Sequence, residues 1–214
     1  MGKKQPDHIN VIDFDHTIYS GDCSIDFYFF CVRTKPTILR YAPSQIWHTM
    51  LFLCRVEERT VFKSKFFSFL KSIPNTEKLV DAFWDKNMHK IKKWYTDRTH
   101  DNDVIVSASP EFLVYPIRQL LDVRDVFATK VNPKTGDLIG KNCRGEEKVR
   151  RIHEAYSDIQ YHQAYSDSLA DMPILSLAAE PYIVIGNKIT DLSEYVSINR
   201  AKRVLLDIRY GKLW

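Results

Sequence analysis

Residues 9–17 have the sequence INVIDFDHT, in which an apolar run, Ile9 to Phe14, turns at once into carboxylates. A short apolar run bounded by polar residues is typical of a buried parallel strand whose carboxyl end opens into a cleft. Asp13 and Asp15 can face that cleft together once the backbone turns, one free to attack and the other to exchange a proton. For so short a motif, a polar loop or a helix cap formed by Asp15 or Thr17 is the alternative.

Further along the chain, apolar runs again end in polar residues and are followed by helical patterns. The runs are Val104 to Val106, Tyr161 to Tyr165 and Tyr182 to Ile185, and the helical patterns are Glu111 to Leu121, Gly145 to Tyr156 and Met172 to Ala179. This alternation predicts an open α/β sheet with mostly parallel strands, in which ligands bind at the carboxyl ends of the strands. Phe127 to Ile139 is predicted to form a β-hairpin turning at Pro133 to Gly136, and Val204 to Ile208 a last strand or helix packing on the sheet.

The interval from residue 18 to residue 95 differs from the rest of the chain. It lacks a strand pattern, is predicted to form several helices, and holds 16 of the 27 aromatic residues. It also carries 13 Lys plus Arg against 7 Asp plus Glu, whereas the whole chain has a net charge of only +4. We therefore predict an α/β core formed by residues 1–17 and 96–214, and an inserted helical cap formed by residues 18–95.

Three further polar segments can contribute to the same cleft. Ser107 can hold a phosphate oxygen together with the amides of the following turn, although a serine after a strand is more often a turn or cap residue. The segment 141–149 supplies cations that can offset charge during phosphoryl transfer, with a solvated surface charge as the alternative. Asp167 and Asp171 lie four residues apart at another strand tip, where they can serve a metal ion or cap a helix. Such an oxygen-rich site suits Mg²⁺.

Together these four segments resemble, in order and in context, the signature of the haloacid dehalogenase superfamily of hydrolases, most of which are Mg²⁺-dependent phosphatases with a Rossmann-like α/β core. The resemblance covers about residues 8–17 and 103–187, and the gap between them resembles the helical cap of this superfamily. It places the chain beside phosphoserine phosphatase. The segments 107–110, 142–145 and 165–168 look closer to uncharacterised bacterial phosphatases of that group and to phosphatidylglycerophosphatase of the same superfamily.

The resemblance implies the central roles in catalysis. Asp13 is expected to be the nucleophile that forms an aspartyl-phosphate, and Asp15 the acid that protonates the leaving oxygen and then activates water. Asp13, the backbone carbonyl of Asp15, and Asp167 are expected to hold Mg²⁺. Because the dehalogenases of the superfamily lack a carboxylate at the position of Asp15, its presence favours phosphate over carbon–halogen chemistry.

Four other positions are given supporting roles by the same resemblance. Ser107 and Ala108 are expected to bind the transferring phosphoryl group. Thr17 is expected to support the turn, and Asp171 to stand behind the metal ligands.

The sequence departs from the family pattern at two positions. His16 stands where many relatives have glycine, and we expect it to shape the turn. Lys148, three residues after Gly145, matches the lysine of the cap-bearing bacterial relatives, whereas the phosphoserine phosphatase pattern would place that lysine at the position of Arg144. We favour Lys148 for both catalysis and phosphate binding, because a lysine can sit as a compact point charge beside Asp13 and the phosphate.

The resemblance predicts a Mg²⁺-dependent phosphatase that acts on a small phosphorylated substrate, such as phosphoserine or a sugar phosphate, with the cap closing over the site and selecting the substrate. A lipid-phosphate phosphatase at a membrane surface is the alternative, suggested by aromatic residues lying near basic ones in the cap. The aromatic residues are Trp47, Phe52, Phe66, Phe67 and Phe69, and the basic ones are Arg55, Arg59, Lys63, Lys65 and Lys71. We favour the interpretation that these aromatic residues form the core of the cap.

Composition excludes several other classes of protein. With 44% hydrophobic and 27% charged residues the chain is globular, and the modest charge without a recognition motif argues against a nucleic-acid partner. The four cysteines lie far apart and form no CxxC pair, which favours a reducing compartment. Cys23, Cys31 and Cys54 are expected to be buried apolar residues. No signal peptide or membrane span is recognised, so we expect a cytoplasmic protein. A phospho-ligand binding module without turnover stays open.

Overall fold

The computed structural model describes residues 6–198, and the predicted element Val204 to Ile208 lies outside this range. Its centre is one six-stranded sheet in which β3, β2, β1, β4, β5 and β6 lie side by side in that order. The strands are β1 (His8–Ile12), β2 (Asp103–Pro110), β3 (Asp125–Thr129), β4 (Gln160–Ser166), β5 (Glu180–Ile185) and β6 (Lys188–Asp191). The first five are parallel and β6 pairs antiparallel with β5, so the predicted α/β fold with a mostly parallel sheet is confirmed.

The central position of β1 is what brings the predicted polar segments together. Ile12 at its end pairs with Ile105 of β2 on one side and with Tyr165 of β4 on the other. Because parallel strands end at the same edge of a sheet, the residues after these three strands meet there.

Two strands were not predicted from the sequence. β3 is a parallel partner of β2 and not an arm of a hairpin; the predicted hairpin is reduced to a single antiparallel bridge between Val131 and Leu138. The turn signal at 133–136 is real, but pairing with β2 satisfies the backbone of residues 125–129. β6 is a short, mostly exposed edge strand. It is too short and too polar to show the apolar pattern from which strands are predicted.

Helices cover both faces of the sheet outside the insertion. They are α6 (Glu111–Val114), α7 (Ile117–Leu120), α8 (Glu146–Ala155) and α9 (Met172–Leu175), and residues 192–198 are also helical. The helix predicted over residues 111–121 is divided at Tyr115–Pro116, because proline disfavours the helical conformation of the residue before it and lacks an N–H.

The described residues between 18 and 95 contribute no strand to the sheet. Their helices are α1 (Cys23–Thr34), α2 (Ala42–Leu53), α3 (Arg59–Phe66), α4 (Thr76–Asn87) and α5 (Lys93–Thr96), with 3₁₀ turns at Pro36–Tyr41, Phe67–Ser72 and Met88–Lys90. Asp22 caps α1 by accepting hydrogen bonds from the backbone N–H groups of Ser24 and Ile25. In residues 6–198, no helix has the length and apolar character needed to cross a membrane.

One hydrophobic core joins the insertion to the sheet. Phe27, Phe67 and Trp84 of the insertion belong to the same buried cluster as Ile12 of β1 and Ile105 of β2. A second cluster lies on the opposite face, beneath α8 and α9. The helices of residues 18–95 therefore cover one face of the sheet and lie next to the ends of its strands.

The aromatic residues of the insertion divide into two groups. Phe67 and Phe69 are buried and Phe66 packs against them, as expected of a core. Trp47 is 60% exposed, and so was wrongly included in that core. Of the cysteines, Cys54 is exposed, contrary to expectation, because it terminates the solvent-facing end of α2.

Candidate active site

A tight turn after β1 positions Asp13 and Asp15. The N–H of Asp13 donates to the carbonyl of Tyr165, and the N–H groups of Ile18 and Tyr19 both donate to the carbonyl of Phe14. His16, which follows Asp15 in this turn, has a φ of 60°, a left-handed conformation that favours glycine. His16 thus occupies a strained position of the turn.

Lys148 of α8 joins two carboxylates at the centre of the site. Its Nζ lies 2.6 Å from Oδ1 of Asp13 and 2.7 Å from Oδ2 of Asp171, and the side chain is only 2% exposed. Ser166 at the end of β4 also donates to Oδ2 of Asp171, at 2.9 Å. The ammonium group is therefore fixed between the tips of β1 and β4.

Burial and the neighbouring charges shift the pKa values of Asp13 and Lys148. Burial raises the pKa of Asp13 to about 7, against the opposing effect of the Lys148 ammonium. Burial by itself lowers the pKa of Lys148, but the carboxylates of Asp13 and Asp171 outweigh it and raise that pKa above its ordinary value. Lys148 is thus a permanent cation beside Asp13.

The carboxylate of Asp15 is held on both of its oxygens. Oδ1 accepts from the N–H of Cys23 at 2.7 Å, and Oδ2 accepts from the hydroxyl of Ser109 at 2.5 Å and, more weakly, from that of Ser107 at 3.3 Å. The hydroxyl of Ser107 also accepts from the N–H of Ser109. The tip of β2 therefore orients Asp15.

Thr17 links the turn after β1 to the tip of β4. Its hydroxyl donates to Oδ2 of Asp13 at 3.0 Å and accepts from the N–H of Asp167 at 2.9 Å. A single buried hydroxyl thus sets the relative positions of Asp13 and Asp167.

These side chains surround a cavity of about 370 Å³ at the edge of the sheet. Of the residues predicted for the site, those lining the cavity are Asp13, Asp15, Ala108, Lys148, Asp167 and Asp171. Ser107 and Thr17 are fully buried behind them and act through Asp15, Asp13 and Asp167. Arg144 also lines the cavity, whereas Lys148 alone of the two cations contacts Asp13.

A sequence model of the haloacid dehalogenase-like hydrolases matches residues 11–176 of the chain. The chain belongs to this family. All the residues just described as lining the cavity or standing behind it lie within the matched range.

Individual relatives within this family are distant. A probable phosphatase from Mycobacterium tuberculosis is 33% identical over 88 residues, which are 38% of this chain and 31% of that protein. The chain thus matches about a third of the length of that curated relative.

Two solved structures share the fold of this chain. A protein of unknown function from Bordetella pertussis Tohama I superposes with a TM-score of 0.68 at 18% identity, covering 91% of this chain and 95% of that one. A phosphoserine phosphohydrolase-like protein from Francisella tularensis has a TM-score of 0.54 at 15% identity, covering 89% and 99%. At these identities the likeness establishes the fold.

The family implies Mg²⁺, and the carboxylates at the cavity fit such an ion. In residues 6–198, no group of three or more His, Cys, Asp or Glu side chains is arranged as a metal site, but Mg²⁺ needs only one or two carboxylates. The half-buried carboxylate of Asp167 accepts no hydrogen bond from another described residue, and burial raises its pKa. A cation beside Asp13 and Asp167 would compensate that charge.

Several cavity residues were missed by the sequence analysis. Ser109 had a signal, because it lies two residues after Ser107 and alternate residues of a strand share a side. Lys63 of α3 had none: its Nζ donates to the carbonyl of Ala108 and to Oδ1 of Asn142, 45 and 79 residues away. Burial, helped by Arg59 and Arg144 and opposed by nearby carboxylates, lowers the pKa of Lys63 to about 8.

Proposed function

We propose that this protein is a Mg²⁺-dependent phosphatase that hydrolyses a phosphomonoester through an aspartyl-phosphate on Asp13. The observation that supports it most is the arrangement of Lys148 between Asp13 and Asp171, with the separately held carboxylate of Asp15 lining the same cavity. Membership in the hydrolase family and the relative called a probable phosphatase point the same way.

The first half of the reaction is transfer of the phosphoryl group to Asp13. A carboxylate oxygen of Asp13 forms a bond to phosphorus as the bond from phosphorus to the leaving oxygen breaks. Asp15 gives its proton to that oxygen, so an alcohol leaves. Lys148 offsets the negative charge at the transferring group, because its ammonium lies 2.6 Å from Asp13.

The second half regenerates Asp13. Asp15, now a carboxylate, takes a proton from water while the water oxygen attacks phosphorus and the bond to Asp13 breaks, which releases inorganic phosphate. The hydroxyl of Ser109 keeps Asp15 oriented through both halves. Ala108 lines the cavity at the tip of β2 and would meet the phosphoryl oxygens, with Ser107 supporting the tip from behind.

Bound Mg²⁺ would be held by Asp13, the backbone carbonyl of Asp15, and Asp167, and would supply positive charge to the phosphoryl oxygens. Residues 18–95 form the cap over this site. Phe62, Lys63 and Phe66 of α3 face the cavity from that side and exclude water from the reacting groups.

Phosphate release tests the proposal. The panel is phosphoserine, sugar phosphates, p-nitrophenyl phosphate and phosphatidylglycerophosphate, each with and without Mg²⁺. We expect turnover that chelation of Mg²⁺ abolishes, that Asp13→Asn abolishes, and that Asp85→Asn on the exposed side of α4 leaves intact. Absence of turnover on every phosphomonoester would indicate a binding module without catalysis.

A further inference from the structure

Besides the paired carboxylates, the cavity has a basic wall. Arg59 at the start of α3 and Arg144 in the segment before α8 both line it. Burial and then the charge of Arg144 lower the pKa of Arg59, so the two guanidinium groups act on each other. Within residues 6–198, no carboxylate pairs with either of them; Arg59 only lies over the ring of Phe52, at 5.1 Å from its centre.

Four of the five carboxylates that line the cavity have partners other than Arg59 and Arg144, and the fifth, Asp167, is the one assigned to the metal ion. Asp13 and Asp171 share Lys148, Asp15 is held by a backbone N–H and by serine hydroxyls, and Asp22 caps α1. Lys63 beside the two arginines donates only to neutral oxygens. Arg59 and Arg144 therefore have no direct carboxylate partner among the described residues, although Asp15 and Asp22 lie near enough to Lys63 to act on its pKa.

We propose that the substrate carries a second phosphate group, held by Arg59 and Arg144 while the first is transferred to Asp13. This inference rests on the proposed phosphatase function. A phosphate presents several oxygens to two guanidinium forks and has enough charge to relieve their repulsion. Phe62 and Phe66, which line the same cavity, would contact the apolar part between the two groups.

Three matched aromatic substrates test this second phosphate site: phenyl phosphate, 4-carboxyphenyl phosphate and hydroquinone bisphosphate. We expect kcat/KM for the bisphosphate to exceed that for phenyl phosphate by about tenfold or more, as a charge-assisted contact of ordinary strength gives. Arg59→Gln should remove most of this preference through KM, and Arg59→Lys should restore part of it. Lys65→Gln removes a charge from the same helix, outside the cavity, and should leave the preference unchanged.

Each other outcome has a definite meaning. Equal kcat/KM for phenyl phosphate and the bisphosphate, or an equal loss on both in Arg59→Gln, would overturn the second phosphate site while phosphatase activity stands. An equal preference for the carboxylated substrate would replace phosphate by a general anion. Absence of turnover on all three, with turnover of a substrate in the panel above, would overturn this inference alone; absence of turnover on both sets would reject the phosphatase function with it.

An independent feature is the apolar outer face of α2. Ile46, Trp47, Met50 and Leu53 recur at the spacing of one helix face, and all are exposed, Leu53 to 73%. The opposite face is fixed to the protein, because Gln45 accepts from the hydroxyl of Tyr28 and donates to the carbonyl of Phe66. These bonds fix the orientation of α2, so that its apolar stripe stays on the surface.

Charge indicates what covers this face. The helix itself contains no Asp, Glu, Lys or Arg, while exposed Arg40 and Arg55 stand at its two ends. The residues from 18 to 95 carry 13 Lys plus Arg against 7 Asp plus Glu. An apolar stripe that includes Trp47 and is bounded by cations matches an anionic lipid surface. We infer that α2 docks on the surface of an anionic membrane without crossing it.

Co-sedimentation with vesicles tests the docking. Vesicles of phosphatidylcholine mixed with phosphatidylglycerol should retain the protein at low salt, and vesicles of phosphatidylcholine alone should retain much less. The double substitution Trp47→Ser with Leu53→Ser should abolish retention. Leu120→Ser with Ile139→Ser, which removes comparably exposed apolar residues outside the cap, should not. Circular dichroism verifies that both variants fold.

Two results would overturn this docking surface. One is absence of retention at low salt, or equal retention of the wild type and the α2 variant. The other is a dimer in light scattering that the α2 variant converts to a monomer, which would assign the face to a second copy of the chain.

Discussion

Lys148 is the residue on which the electrostatics of the site depend most. It is buried between Asp13 and Asp171, so removing its ammonium leaves two carboxylates unpaired in a region of low dielectric. Arg144, the other cation considered for its role, lies in the same cavity without contacting Asp13.

The first prediction follows from this difference. Lys148→Ala should lower the free energy of unfolding by about 3 kcal/mol and kcat by about a hundredfold or more. Arg144→Ala should reduce kcat much less. Urea unfolding and phosphate release measure the two effects. Nearly full turnover in Lys148→Ala, together with its loss in Arg144→Ala, would show that Arg144 is the catalytic cation.

A second prediction concerns the orientation of Asp15. Ser109→Ala removes the hydroxyl that donates to Oδ2 of Asp15 at 2.5 Å, and leaves only the longer contact from Ser107. We expect kcat to fall by about tenfold, because a general acid and base loses its alignment, with KM little changed. Ser193→Ala, at an exposed serine that contacts Asp191, is the matched control. A drop confined to KM would contradict an orienting role.

At the scale of elements, α8 is stabilised by an acidic residue in its first turn. Glu147 accepts hydrogen bonds from Arg150 and Arg151, and these arginines, Arg150 first, lower the pKa of Glu147 to about 2. The folded pKa lies below the ordinary value of 4.5, so the contribution is complete above that pH and is lost as the pH falls towards 2.

The third prediction is the pH dependence of this contact. Glu147→Gln should lower the free energy of unfolding by about 1 kcal/mol at neutral pH. This is less than the pKa shift alone would give, because Arg150 is half exposed and solvent screens the contact. The difference between wild type and variant should shrink between pH 4.5 and pH 2. Glu154→Gln, which removes an exposed partner of Arg150, should be nearly neutral. Denaturant unfolding at several pH values measures this, and a difference that grows in acid would contradict it.

The turn after β3 contacts the cap through Gly136. Its φ is 80°, and a Cβ at this position would lie 2.1 Å from the carbonyl oxygen of Phe67. The same turn bonds to the cap through Thr76 and Ser64. This turn thus holds the 3₁₀ segment that carries Phe67 against the core.

The fourth prediction separates the close approach from the backbone conformation. Gly136→Ala should lower the free energy of unfolding by about 3 kcal/mol. Gly140→Ala has a similar φ of 77° with no atom near its Cβ, and should cost about 1 kcal/mol. Thermal or urea unfolding compares the two. Equal costs would mean that the contact with Phe67 relaxes without penalty.

At the scale of the whole molecule, the cap and the sheet share a hydrophobic cluster. The shared packing predicts that residues 18–95, the proposed cap, and the rest of the described chain unfold together. This is the fifth prediction. Three of the four tryptophans, Trp47, Trp84 and Trp94, lie in residues 18–95, so in a Trp214→Phe background their fluorescence should follow the same urea transition as far-UV circular dichroism. Two separate transitions would show that the cap folds independently.

The sequence alone was sufficient for the order of the central elements and for the carboxylates at their ends. Apolar runs that stop at Asp13, Ser107 and Asp167 are local patterns, and parallel strands in one sheet necessarily end at the same edge. Lys148 was preferred to Arg144 because it resembles, three residues after Gly145, the lysine of cap-bearing bacterial relatives, and its Nζ does lie beside Asp13. These residues lie on adjacent strands or next to them, so topology fixes their neighbours.

Only the tertiary structure decided which residues from distant parts of the chain contact these strand ends and the turn after β3. Lys63 meets Ala108, and Gly136 meets Phe67, across long separations in the chain that no local pattern encodes. The sequence predicted several helices within residues 18–95, but which face of α2 is covered depends on the bonds of Gln45 to Tyr28 and Phe66. Burial is a property of packing between distant segments, and for that reason Trp47 was misassigned to the core while Phe67 was assigned correctly.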